Sequence, residues 1–139
     1  MRYIDEIIIH CSATSEEKEF TIEDIDRWHR ERGFDCIGYH FVVLRDGRVQ
    51  NGRPIEKIGA HTKDHNSETI AICYIGGLQA DGKIAKDTRT SEQKTALMTL
   101  CKDLLENYPS IRKISGHNEY AAKACPSFDV RSDLLGMLV

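Results

Sequence analysis

No apolar run in this 139-residue chain is long enough to cross a bilayer, and no polybasic block interrupts the even spread of its Lys and Arg. The first absence argues against membrane insertion. The second, together with a formal net charge of -3, leaves no electrostatic footprint for nucleic acid. The five cysteines form no C-x-x-C pair and are odd in number and irregular in spacing, so each thiol is read alone and no disulfide framework is expected. The opening stretch "MRYIDEIIIHCSAT" offers only a short apolar run beside Asp5 and Glu6, with no signal-like core or cleavage site, so the chain is expected to stay in the cytoplasm after synthesis. Linkers, repeats and low-complexity segments are missing too, which points to one domain spanning 1–139. What is present, 40% hydrophobic and 29% charged residues, suits a soluble globular protein.

The apolar periodicity alternates between strand and helix. "YIDEIIIH" reads as a buried first strand with His10 at its exit. "TIEDIDRWHRERG" opens on Thr21 with Asp24 three residues on, a capping-box pattern, and closes at Gly33. Asp46-Gly47 between "YHFVVLR" and "RVQNG" predicts a tight hairpin with Tyr39 at a strand start. "TIAICYIGG" is a further strand, and "GLQADGKIAKDTRT" a loop without a regular element. Thr90 with Gln93 caps the clearest helix, striped by Leu97, Leu100, Cys101, Leu104, Leu105 and Tyr108 and ended by Pro109. "IRKIS" gives a last strand, and 129–138 is expected to close the chain as a short helix. The pattern predicts an α/β (mixed α+β) fold: one central mixed β-sheet flanked by helices, with the site in loops at the strand ends.

Three residues draw attention as donors. His10 and His117 follow predicted strands, which can bring both imidazoles to one edge of the sheet, and Cys125 lies in the polar loop "KACPSF" beside Pro126. Zinc accepts mixed nitrogen and sulfur ligands, and three protein ligands leave its fourth tetrahedral position open. The spacing matches no short zinc motif, so on residues alone the reading of His10 as a hydrogen-bonded strand-end histidine stands beside the ligand reading. Cys73 and Cys101 follow the apolar pattern of their elements as small core residues. Trp28 reads as helix packing, His29 and His65 as surface residues, and His40 as facing away from Tyr39. Cys11 and Cys36 carry no argument.

The segments "HCSAT", "IDRWHRERGFDCIGYHFVVLRDGRV", "GAHTKDHNSETIAICYIGG" and "GHNEYAAKACPSFD" together resemble the zinc N-acetylmuramoyl-L-alanine amidases, in the family's order and over nearly the whole chain. Peptidoglycan-recognition proteins share that fold. The resemblance implies one Zn2+ ion held by His10, His117 and Cys125, with Tyr39 and Lys123 as the polar residues needed for amide cleavage. It implies His61 and Asn66 as lining of the peptide groove, and peptidoglycan or soluble muropeptide as the substrate. Many related amidases carry a glutamate where Tyr39 stands. A free phenol ionises near ~10, so Tyr39 is expected to hydrogen-bond rather than act as a base. An ammonium at Lys123 suits a developing oxyanion. An endolysin acting on the cell wall after release is the expected role, with a non-catalytic stem-peptide-binding module as the alternative. A monomer is expected. One family member also inhibits an RNA polymerase, and nothing in these residues supports carrying that role over.

Overall fold

The computed structural model describes residues 2–139. The elements run β1 (Glu6–Cys11), β2 (Thr14–Ser15), α1 (Ile22–Glu31), β3 (Phe41–Val43), β4 (Val49–Asn51), β5 (Thr69–Tyr74), β6 (Gly77–Leu78), α2 (Ser91–Asn107) and β7 (Lys113–Gly116), with 3-10 turns at His117–Glu119 and Gly136–Leu138. Five strands form one mixed sheet in the order β4-β3-β5-β1-β7. β1 lies between β5 and β7 and is parallel to both, β3 runs parallel to β5, and only β4 is antiparallel. This is the expected α/β architecture.

A parallel strand inside a sheet is covered on both faces, which is why β1 and β5 carry no polar alternation and are buried along their whole length. On one face Ile7, Ile9, Ile70, Ile72 and Tyr74 pack against Leu97, Cys101 and Leu104 of α2. On the other, Val42, Leu44, Cys73 and Ile75 meet Ile25 and the partly buried Ile22 and Trp28 of α1. Trp28 sits edge-on to Phe20 with ring centroids 5.0 Å apart, a packing role.

Both helix starts follow from local chemistry. The Thr21 N–H donates to the Asp24 carboxylate at 2.9 Å. At α2 the box is reciprocal: the Gln93 N–H donates to the Thr90 hydroxyl and the Thr90 N–H to the Gln93 side-chain oxygen, each at 3.0 Å. Gln93 is fully buried, and its amide nitrogen also reaches the Ile75 carbonyl at 2.9 Å, tying the cap to the sheet.

Three expectations are corrected. The hairpin turn is wider than a two-residue loop: the Gly47 N–H bonds the Leu44 carbonyl and the Leu44 N–H bonds the Arg48 carbonyl, with positive φ at Gly47 and not at Asp46. "GLQADGKIAKDTRT" contributes a two-residue strand, β6, which pairs in parallel with β2. The tail from 129 to 138 is a series of turns. Asp129 and Asp133 accept the N–H groups of Arg131 and Leu135, local bonds that compete with a helix, and Gly136 approaches the Val130 carbonyl too closely for any side chain. Val130 and Leu135 are buried there, while Leu134 is 69% exposed.

Candidate metal and hydrolytic site

Register explains the convergence of the two histidines. Ile9 of β1 pairs with Gly116 of β7, so His10 and His117, each the next residue, emerge level at the carboxyl ends of adjacent parallel strands. Their ring centroids are 4.6 Å apart. His10 lies within β1 and is 1% exposed, deeper than a strand-exit residue; His117 is half-buried at the start of its 3-10 turn. Cys125 arrives from the loop that follows. That loop is pinned where the Tyr74 hydroxyl donates to the Pro126 carbonyl at 2.6 Å and the Ser127 hydroxyl to the Gly77 carbonyl at 2.8 Å.

The ligand atoms of His10, His117 and Cys125 all lie within 4.8 Å of one another. His10 Nδ1 is 3.8 Å from the Cys125 Sγ. Donors on a tetrahedral zinc with bonds of about 2.0–2.3 Å sit roughly 3.3–3.8 Å apart, so the group is nearly closed to the required size, and its two nitrogens and one sulfur match the metal's preference. The Cys11 N–H points at the Cys125 Sγ at 3.2 Å, a donor that suits a thiolate. Through that contact Cys11, read in the sequence as carrying no argument, belongs to the site.

Electrostatics hold the imidazoles neutral, the form that ligates metal. Burial, followed by the neighbouring His61 and His117, keeps the His10 pKa well below its ordinary value. Burial then Lys123 lowers His117, and burial depresses His61 to about 3 and His29 to about 4. The hydrogen bond with Cys11, then burial, pushes the Cys125 thiol up. Burial raises the Tyr39 pKa well above the ordinary phenol value, which favours the protonated hydroxyl.

The surrounding cleft has a volume of about 370 Å³, and Tyr39, His61, Asn66, His117 and Lys123 all line it. Tyr39 sits just before β3 with its ring 5.0 Å from that of His10. Lys123 is exposed on the loop between the two later donors. Asn66 is bound inward: its side-chain oxygen accepts the N–H groups of His61 and Thr62, both at 3.0 Å. His61 uses both ring nitrogens within the protein. A larger groove of about 660 Å³ between the β3–β4 turn and α2 shares none of these residues.

His29 also lines the cleft, and its expected surface position is corrected. It is 6% exposed, accepts the Gly38 N–H on Nδ1 at 2.9 Å and lies 5.2 Å from the Tyr39 ring. The signal was available, since His29 follows Ile25 by four residues on the buried face of α1. His65 is half-buried and stacks on Tyr120 at 4.0 Å. The Tyr120 hydroxyl in turn donates to the buried Glu6 at 2.6 Å, which anchors the loop carrying His117 and Lys123 to β1. His40 faces away from Tyr39 into a separate cavity, as expected.

Two imidazoles from adjacent parallel strands and a thiol from the loop beyond them, with a lysine and a tyrosine in the neighbouring cleft, form a donor group that could hold a metal ion. Comparison with known proteins gives the family. Residues 1–128 match the model of the Amidase_2 family, N-acetylmuramoyl-L-alanine amidase, and the chain belongs to that family. It is 39% identical over 127 residues to the endolysin of Escherichia phage T7, covering 91% of this chain and 83% of that one. Among solved structures, the N-acetylmuramoyl-L-alanine amidase LysC from Clostridium intestinale aligns with a TM-score of 0.78 at 26% identity, over 92% of this chain and 79% of that one. Drosophila PGRP-LB aligns at 0.79 and 23% identity over 97% and 84%, a likeness of fold.

Proposed function

We propose that this chain is a zinc-dependent N-acetylmuramoyl-L-alanine amidase of endolysin type, hydrolysing the amide between the lactyl group of N-acetylmuramic acid and the first L-alanine of the stem peptide. The observation that carries the reading is the three-donor group of His10, His117 and Cys125, whose member His117 lines a cleft together with Tyr39 and Lys123. One zinc ion would be held by those three donors and, when bound, supplies a Lewis acid that activates water and polarises the amide carbonyl.

The chain's own groups do the rest. Lys123 places an ammonium on the cleft wall, where it stabilises the negative charge that grows on the carbonyl oxygen as the amide carbon becomes tetrahedral. Tyr39, protonated, donates a hydrogen bond to the attacking or reacting oxygen and orients it. Burial of His10 and the inward bonds of His61 keep the floor of the site rigid, so little reorganisation accompanies the reaction. Asn66 retains its side-chain N–H group for the peptide while its oxygen holds the loop. The unit is a single catalytic domain acting as a monomer on peptidoglycan or muropeptides, released to the cell wall after synthesis.

The test is release of new L-alanine amino termini from purified sacculi by the protein as isolated, after chelation and after zinc is restored. Loss and recovery with zinc supports the amidase. Stem-peptide binding without cleavage by protein holding one zinc would instead establish a recognition module.

A further inference from the structure

His61 is a middle link of a hydrogen-bonded chain that begins at His10 and ends at the His65 carbonyl. His10 Nε2 lies 2.9 Å from His61 Nδ1, and His61 Nε2 lies 3.0 Å from the Thr69 hydroxyl. The Thr69 hydroxyl donates its one proton to the His65 carbonyl at 2.7 Å. The direction of every bond follows from that last link. A carbonyl oxygen only accepts, so the Thr69 oxygen must accept from His61, which puts the His61 proton on Nε2. His61 Nδ1 then carries a lone pair. Two lone pairs at 2.9 Å would repel, so the proton between the rings sits on His10 Nε2. His10 is left with its Nδ1 lone pair free, and Nδ1 is the atom 3.8 Å from the Cys125 Sγ.

We propose that His61 is a positioning residue: through Thr69 and the His65 carbonyl it holds His10 in the Nε2–H tautomer and aims the Nδ1 lone pair at the metal. This rests on the reading of His10 as a zinc ligand, and it moves His61 from the peptide groove to the support of the metal centre. The geometry favours support over substrate contact because both ring nitrogens are already engaged. The Thr62 hydroxyl lies 3.4 Å from His10 Nε2, where its oxygen can accept a share of the same proton, and 3.0 Å from His61 Nδ1. Outer partners of this kind orient the ring and raise its basicity, and their loss commonly weakens metal affinity 10- to 100-fold. An imidazole used here, in place of the more usual carboxylate or carbonyl, leaves no extra negative charge beside the site.

Two measurements decide it. Long-range proton–nitrogen NMR on the metal-free wild type reads the tautomers directly, and His10 and His61 should both carry the proton on Nε2. Zinc affinity, by competition with a chromogenic chelator, should fall roughly 10- to 100-fold in His61→Leu and recover to within about threefold of wild type in His61→Gln, whose amide oxygen can accept the His10 proton. Thr69→Val keeps both rings and should weaken zinc severalfold, which gives a second variant should His61→Leu fail to fold. An Nδ1–H tautomer at His10, or folded variants that bind zinc as tightly as wild type, would overturn the proposal. Failure of the wild type to hold zinc would sink the ligand reading instead, and the tautomers, read without metal, would still decide the relay.

Discussion

Acid should destabilise this protein well above the carboxylate range, and His40 supplies a measurable share. Its ring is 1% exposed, Nδ1 accepts the Ala71 N–H at 3.0 Å, and Nε2 is 2.9 Å from the Lys57 carbonyl, to which it donates. Protonating Nδ1 would remove an acceptor from β5 and bury a charge near Arg2. Burial accordingly lowers the His40 pKa to about 4. The unfolded value is near ~6.5, so below that pH the unfolded chain takes up the proton before the native one does. The stabilising share is therefore complete above about pH 6.5 and is lost as pH falls towards 4. A drop of roughly 2.5 units at about 1.4 kcal/mol each amounts to about 3 kcal/mol. Urea unfolding of wild type and His40→Gln at pH 7, 6 and 5, with zinc matched, is the assay. Glutamine can still accept the Ala71 N–H but does not titrate, so its stability should fall by roughly 2 kcal/mol less than wild type between pH 7 and 5. Parallel acid slopes for the two proteins would refute the reasoning.

Other consequences are as direct. Lys123→Ala should cut turnover by about 10²–10³-fold with zinc content and melting temperature unchanged, since the side chain is exposed and its role is charge stabilisation; loss of zinc in that variant would contradict it. Cys125→Ser should lose zinc in equilibrium dialysis, because a serine hydroxyl replaces the one soft donor; retention of a full equivalent would argue against the ligand set. Gln93→Leu should cost about 2–4 kcal/mol by chemical denaturation, as it strips the Thr90 cap and leaves the Ile75 carbonyl and the Arg45 guanidinium short of a partner. A loss below about 0.5 kcal/mol would show that the buried amide matters less than its bonds suggest.

Periodicity and caps determined much about this protein without any structure. The β-branched run of β1, the Thr90–Gln93 box and the stripe of α2 each depend on neighbours within one or two turns, so the sequence displays them. The donors His10, His117 and Cys125 were legible as residue types and by resemblance. Tertiary structure alone decided what depends on residues distant in the chain. The pairing of Ile9 with Gly116 makes His10 and His117 level, and no local pattern encodes that register. Burial on α1 turned His29 from a surface residue into cleft lining, because a helix face is apolar only relative to what packs on it. Directed hydrogen bonds, closed by a hydroxyl on β5, assign the protons of His61 and His10. The tail failed as a helix for the same reason: Leu134 fits a helical stripe by spacing, yet local aspartate bonds and the contact of Gly136 with Val130 hold the backbone in turns.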